Sequence, residues 1–408
     1  MLTDRKETIV YAPDVLRVII QGGFVKFLSL ILGLFLASSA HAFSIEVVQS
    51  VPKETNLQVA GLPLTQDVWL KMINGAKETI DLEEFYVTSQ PGEALAPILD
   101  AIRAAAGRGV HVRLIVDSGF YKTYPTDPNS LAQVDNIEVK TIDFSSLGGI
   151  QHSKFFVVDG DEFYAGSANF DWLALEHIHE IGLHINDASM AQGLESVFNM
   201  DWNNTNETRA VSSSIAQAAQ PITFARLAAD IFPAGYQMMA SPPKQTPAGI
   251  EDSLTEILKA LANAETSFKL QVYEYDTTVF GTSQHWYVLD KAIRAAAARG
   301  VQVQLLVDKA ALKAGKADLQ ALATLPNIQL QVITVPAWSG PVIPYSRLIH
   351  SKYFIVDGTS AWVGSENWSS TYFTGSRNVG IMLVDPTVIS QLNLVFNQVW
   401  NSGYGAQP

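Results

Sequence analysis

The chain has 408 residues, which at about 100–200 residues per domain is room for two or three domains with sizeable cores. At 48% hydrophobic and 16% charged it is not disordered or fibrous, and 27 Lys and Arg against 40 Asp and Glu (−13 at pH 7) argue against a basic surface that coats nucleic acid. The absence of cysteine excludes disulfides, thiolate-bound zinc, iron–sulfur clusters and a thiol nucleophile.

Taken in chain order, the N-terminus reads first as an export signal. Lys26 precedes the apolar run Phe27 to Ala37, and Ser38-Ser39-Ala40-His41-Ala42 supplies an A-x-A site. The run is too short for an uncleaved anchor, since a membrane span needs about 20 apolar residues. Residues 1–42 are therefore expected to be a signal peptide cleaved after Ala42, with the mature protein exported to the periplasm or secreted. Asp4, Glu7 and Asp14 are unusual in such a leader. Residues 1–24 are explained if translation starts at Val25 from a GTG codon, with Gln21-Gly22-Gly23 back-translating to a ribosome-binding sequence. Any other codon at Val25 refutes this.

From residue 43 one pattern is written twice. Helix Gln66 to Ala76 leads to strand Ile80 to Val87, and helix Ala94 to Ala106 to strand Val110 to Val116; strands near Val139 to Ile142, Lys154 to Asp159 and Phe163 to Ala165 follow. The second copy starts with helix Asp252 to Ala264 and strand Phe268 to Tyr275. LDAIRAAAGRGVHVRLIVD at 99–117 answers LDKAIRAAAARGVQVQLLVD at 289–308. Arg103 and Asp117 recur 191 positions later as Arg294 and Asp308; His152, Asn169, Phe198 and Trp202 recur 198 later as His350, Asn367, Phe396 and Trp400. The expected fold is α/β, two pseudo-twofold α-β-α sandwich halves at 43–204 and 246–408, joined by a polar linker over 205–245.

The chemistry sits in H-x-K-x4-D-x6-G-S-x-N, present as His152, Lys154, Asp159, Gly166, Ser167, Asn169 and as His350, Lys352, Asp357, Gly364, Ser365, Asn367. Residues two apart on a strand share a face, so His and Lys of each copy project together and Ser153 and Ser351 face away. The glycines are expected to turn the chain tightly and return a hydroxyl and an amide to that face. Two imidazoles, two ammoniums, two hydroxyls and two amides suit phosphodiester cleavage through a covalent intermediate. One His attacks phosphorus, the other protonates the leaving oxygen, and Lys154, Lys352, Ser167, Asn169, Ser365 and Asn367 hold the non-bridging oxygens. No metal or other cofactor is called for. The rival metal-site reading lacks clustered carboxylates, helical His spacing and cysteine.

Two complete copies of this motif resemble the phospholipase D superfamily with two HKD motifs, from about Val51 to the C-terminus. The resemblance implies a site at the interface of the halves, His152 as the nucleophile forming a phosphohistidine, and His350 as the general acid. It also implies a carboxylate downstream of G-S-x-N that orients the nucleophile; Glu180 holds that place, and the matching position in the second copy is Asn378. SANFDWL at 167–173, Ile343 to Arg347 before His350, and SENWSSTYF at 365–373 are similar to the lysosomal 5′-exonuclease and poxviral envelope-type branch. That branch usually carries cysteines and a membrane anchor; this chain has no cysteine, and its N-terminal apolar run is expected to be cleaved rather than to anchor it. The substrate implied is single-stranded nucleic acid, cleaved by a monomer. The alternatives are phospholipase D or transphosphatidylase action on phospholipid, with transient membrane contact, and more remotely a non-catalytic surface-binding role.

The remaining expectations are local. Asp159 and Asp357, each before a glycine, are read as turn or ion-pair residues. His177, His179 and His184 have no repeat partner and are expected partly exposed. Trp202 and Trp400, four residues after Phe198 and Phe396, are read as core. Phe170, Trp172, Trp368, Tyr372 and Phe373 are candidate base-stacking aromatics, each more simply read as core. Leu147 to Ile150 and Pro336 to Ile343 are the candidate apolar rim for a lipid.

Overall fold

In each half, period-two alternation makes strands whose two faces enter different cores. Phe155 and Val157 face one apolar cluster, while Phe156 and Val158 face another. Tyr353 and Ile355 against Phe354 and Val356 do the same in the second half. A strand with no polar face must be covered on both sides, and helices supply the cover. The structure, a computed structural model, describes residues 43–204 and 235–408. The expected signal peptide, the alternative start and most of the expected linker lie outside the described residues.

The first sheet runs Ser44–Ser50, Ile178–Asn186, Glu162–Gly166, Lys154–Val158, Thr79–Glu84, His111–Asp117, Ile137–Ile142. The second repeats that order as Tyr236–Ser241, Asn378–Leu383, Ser360–Gly364, Tyr353–Val356, Ser267–Val272, Gln302–Asp308, Ile328–Ile333, extended by short edge strands Glu251–Asp252 and Gly405–Ala406. The last three main strands of each sheet are mutually parallel, and the others pair antiparallel. Tyr236–Ser241 lies inside the stretch expected to be linker, yet it pairs with Asn378–Leu383 as Ser44–Ser50 pairs with Ile178–Asn186. Its alternation is short and rich in Met and Gln, which hid the strand.

Helices Thr65–Gly75 and Ala96–Gly107 cover the outer face of the first sheet, and Ser253–Asn263 and Val288–Ala298 that of the second. Between the sheets lies a core shared by both halves, built on helices Ala188–Asn204 and Pro386–Trp400. Phe198 stacks on Trp202 and Phe396 on Trp400 in the same geometry, with centroids 5.6 Å apart in each pair. Asp385 caps the last helix by accepting from the Thr387 and Val388 amides, and Pro386 occupies its first turn. Across the halves, buried Arg377 grips Asp201 with two nitrogens, at 2.5 and 2.7 Å. Arg347 donates to the Lys53 carbonyl at 2.7 Å.

Candidate active site

The two motif histidines sit just before their strands, and each is threaded into the other half. Gln151 bridges to Arg377, and the His152 amide donates to the Arg377 carbonyl at 2.8 Å. Leu348–Ile349 pairs with Ile178 and His179, and the His350 amide donates to the His179 carbonyl at 2.9 Å. Asp117 and Asp308 anchor the approach in the same way. Asp117 accepts from the Gln151 amide and Asp308 from the Ile349 amide, both at 2.9 Å, while each also caps the loop after its own strand. The 191-residue repeat singled these two out without revealing this duty.

The side chains cross as well. His152 Nδ1 lies 3.0 Å from Asn378 Oδ1, and His350 Nδ1 lies 2.8 Å from Glu180 Oε1. This corrects the expectation for Glu180: it orients His350, not His152, because strand Ile178–Asn186 faces the incoming second-half segment. Asn378 donates through Nδ2 to the Tyr372 carbonyl at 2.8 Å, so its oxygen is the atom turned to His152. An amide oxygen only accepts; His152 therefore carries its proton on Nδ1 and presents a free lone pair on Nε2.

Ser167 and Ser365 also depart from expectation. Ser167 Oγ donates to Glu180 Oε2 at 2.5 Å and Ser365 Oγ to Asn378 Oδ1 at 3.0 Å, and both residues are fully buried. Their hydroxyls are turned to the groups that hold the histidines. The glycine before each serine serves close approach rather than a turn: a Cβ on Gly166 would lie 2.5 Å from the Gly182 Cα. Asn169 and Asn367 stay at the cleft, each with its carbonyl oxygen unpartnered; Asn169 Nδ2 lies 3.3 Å from the Tyr86 hydroxyl. Lys154 donates to the His152 carbonyl, and Lys352 Nζ has no hydrogen-bond partner.

An aromatic residue that the motif does not contain backs each His–Lys pair. Phe85 meets His152 edge-on at 5.0 Å with Lys154 Nζ 5.1 Å from its centroid. Tyr273 meets His350 at 4.9 Å with Lys352 Nζ at 5.7 Å. Phe85 and Tyr273 follow matching strands, so aligning the two copies without gaps there would have found them. Of the five candidate stacking aromatics, Phe170, Trp172, Trp368 and Phe373 are core; Tyr372 stands 4.7 Å from His152.

Asp159 and Asp357 lie away from this cleft. Asp159 accepts from the Lys77, Glu78 and Thr79 amides, and Asp357 from those of Glu265, Thr266 and Ser267, fastening the start of the neighbouring strand. Ser153 and Ser351 are turned from the cleft toward Glu83 and His179. His177, His179 and His184 are buried rather than partly exposed; His179 and His184 lie on strand Ile178–Asn186, covered on both faces, and His177 ends the short helix before it. His184 is clamped between Glu46 and Glu162, at 2.8 Å each, which raises its pKa against the pull of burial.

Burial is the largest influence on every charged group of the site. It draws His152 and His350 well below the ordinary imidazole range, with the two lysine ammoniums adding to the effect. It pulls Lys154 well down and Lys352 to about 7, and lifts Glu180 to about 8. The Ser167 backbone opposes that fall at His350, whose Nδ1 also faces the Glu180 carboxyl at 2.8 Å; at His152 the opposing contact is the neutral Asn378.

Paired imidazoles with distinct supports, flanked by two lysines in one buried cleft, define a phosphodiesterase of the phospholipase D superfamily. The family profile described as "Cardiolipin synthase, PLD-like domain" matches residues 69–202 and again 257–400, and the chain belongs to that phospholipase D-like family. It is 31% identical over 394 residues to the Dictyostelium discoideum protein named phospholipase D Z, covering 91% of this chain and 92% of that one. It is 30% identical over 404 residues to the Mus musculus 5′-3′ exonuclease PLD4, covering 88% and 78%. The fold matches that of phosphatidylserine synthase from Haemophilus influenzae with a TM-score of 0.59 at 12% identity, over 84% of each chain.

Proposed function

We propose that this protein is a 5′-to-3′ exonuclease of single-stranded nucleic acid, working through a phosphohistidine on His152. The crossed supports carry the mechanism. His152, with Nδ1 donating to a neutral amide, is kept uncharged and nucleophilic. Its Nε2 lone pair forms the P–N bond while the bridging P–O bond breaks, and the leaving oxygen takes its proton from Nε2 of His350, which shares a second proton with Glu180 through Nδ1. His350 then accepts a proton from water; the water oxygen bonds to phosphorus, the P–N bond breaks, and its electrons return to His152. Lys154, Lys352, Asn169 and Asn367 hold the non-bridging oxygens. The named activity of the exonuclease relative supports the polarity and substrate.

A phospholipid reading has its own support in the relative named phospholipase D and in the loop ahead of His350, where Val342 is 92% and Tyr345 83% exposed. Incubating the purified protein in EDTA with a 5′-hydroxyl oligonucleotide and with phosphatidylcholine vesicles tests the two. Stepwise release of mononucleotides is expected. Choline or phosphatidate release without nucleotides would reverse the order. We also infer export of the mature chain as a monomer, on the strength of Lys26, the run Phe27 to Ala37 and the site at Ala42, and of a cleft that one chain completes. The mature N-terminus is expected at Phe43; recovery of residues 25–42 on the native protein would contradict it.

A further inference from the structure

We propose that Tyr86, Phe120 and Tyr124 form a base-stacking wall that holds the nucleobase of the terminal nucleotide retained on His152 during cleavage. The inference rests on the nuclease reading and names where that substrate is gripped.

The three rings are nearly parallel: Tyr86 is inclined 19° to Phe120 and 28° to Tyr124, and Phe120 28° to Tyr124. Their centroids are 5.8, 5.0 and 6.4 Å apart, close to an equilateral triangle. Rings this close cannot lie edge to edge in one plane, so the three form an offset stack. All three are half-buried, as are Tyr273 and Tyr372 beside the histidines.

The wall joins the reacting groups at two points. Phe85, edge-on to His152, contacts Phe120 at 4.0 Å and Tyr86 at 5.2 Å between centroids. The Tyr86 hydroxyl is hydrogen-bonded to Asp171 and lies 3.3 Å from the amide nitrogen of Asn169. An offset stack of rings one ring beyond the phosphorus site, tied down by the Tyr86 hydroxyl, suits a planar heterocycle that extends it, because every base has a π-face and stacking requires no particular sequence.

The twofold symmetry fails at this place. The strand register sets Tyr86 against Glu274, and the 191-residue repeat sets Phe120 against Ala311 and Tyr124 against Gly315. The three matching positions of the second half therefore carry no ring, and one of them is a carboxylate, Glu274. In an in-line displacement the leaving oxygen departs toward His350, so the wall beside His152 lies with the nucleotide that stays behind.

The test crosses two perturbations: Tyr124→Ala in the protein, and an abasic tetrahydrofuran unit in place of the first nucleoside of a 5′-hydroxyl oligothymidylate. For the wild-type protein, the abasic unit at the first position is expected to lower kcat/KM about 5- to 150-fold, the range of one base–aromatic stack. The same unit at the second position should cost far less. Tyr124→Ala should lose a comparable factor on the normal oligonucleotide and lose nothing further on the abasic one, while Tyr124→Phe retains wild-type values. Equal losses for Tyr124→Ala on both substrates, or a greater penalty at the second position, would overturn the wall. No nucleotide release from any oligonucleotide by the wild-type protein would instead remove the nuclease reading, and the wall with it.

Discussion

Glu180→Gln separates the charge of the His350 support from its shape. The amide keeps an oxygen for His350 Nδ1, now 2.8 Å from Glu180, and fills the same fully buried volume. Two unit charges about 4 Å apart at an effective dielectric constant of about 20 interact by about 4 kcal/mol. Burial of both partners opposes this, and about half, ~2 kcal/mol, is a fair figure for what the imidazolium loses. That is ~1.5 pKa units on the general acid, and it places the fall in kcat near the lower end of the about 10²- to 10⁴-fold that such an acid contributes. The measurement is kcat on an oligonucleotide against kcat for the first turnover of a thymidine p-nitrophenyl phosphodiester, whose leaving group departs without a proton. We expect about 10² on the first and less than about threefold on the second, with a nitrophenolate burst before slow turnover. The same factor on both substrates would show that Glu180 supports the fold or His152, and that the crossed assignment is wrong.

Further outcomes follow from the same geometry. His152→Ala should abolish covalent labelling by a phosphodiester, whereas His350→Ala should still trap phosphoenzyme when the leaving group is good; labelling of His152→Ala would exchange the two roles. Since burial lowers Lys352 to about 7, its ammonium is charged below that pH and lost above it, so KM for an anionic diester should rise as pH climbs through neutrality. Lys352→Arg, always charged, should flatten that rise; an unchanged profile would assign the inflection elsewhere. Arg377→Met leaves Asp201 buried and unpaired and should cost about 3–5 kcal/mol, read from a urea transition. A change under about 1 kcal/mol would mean the pair does not tie the halves together.

The elements that position the site were legible because their cause is local. Phe155 to Val158 alternates between two cores, and the helix before each parallel strand repeats almost letter for letter. What escaped the sequence reading is what crosses the seam. His350 and Glu180 are 170 residues apart, His152 and Asn378 are 226 apart, and no periodicity links such positions. Proximity in sequence pairs Glu180 with the histidine of its own copy; the exchange of segments Gln151 and Leu348–Ile349 between sheets pairs it with the other. Ser167 misled for a related reason. A hydroxyl next to a glycine reads as a phosphate-binding turn, but Gly166 presses against Gly182 and leaves Ser167 facing Glu180. His179 and His184 looked exposed because they are polar, while their strand lies between two apolar layers.

The crossing also bears on how a duplicated unit performs an asymmetric reaction. Two identical halves would give both histidines the same support and the same proton affinity, yet attack on one phosphorus needs one imidazole neutral and the other charged. Different supports on the strands Ile178–Asn186 and Asn378–Leu383 would separate the two imidazoles without touching either motif, since each support acts on the opposite copy. Glu180 and Asn378 differ by charge, while Ser167 and Ser365 hold them in the same way. Asn378→Asp should therefore bring the two imidazoles closer in proton affinity and slow formation of the phosphoenzyme, because His152 would spend more time protonated. The loss should be greatest at low pH and recede as pH rises. A variant slowed equally at every pH would place the asymmetry somewhere other than in these two side chains.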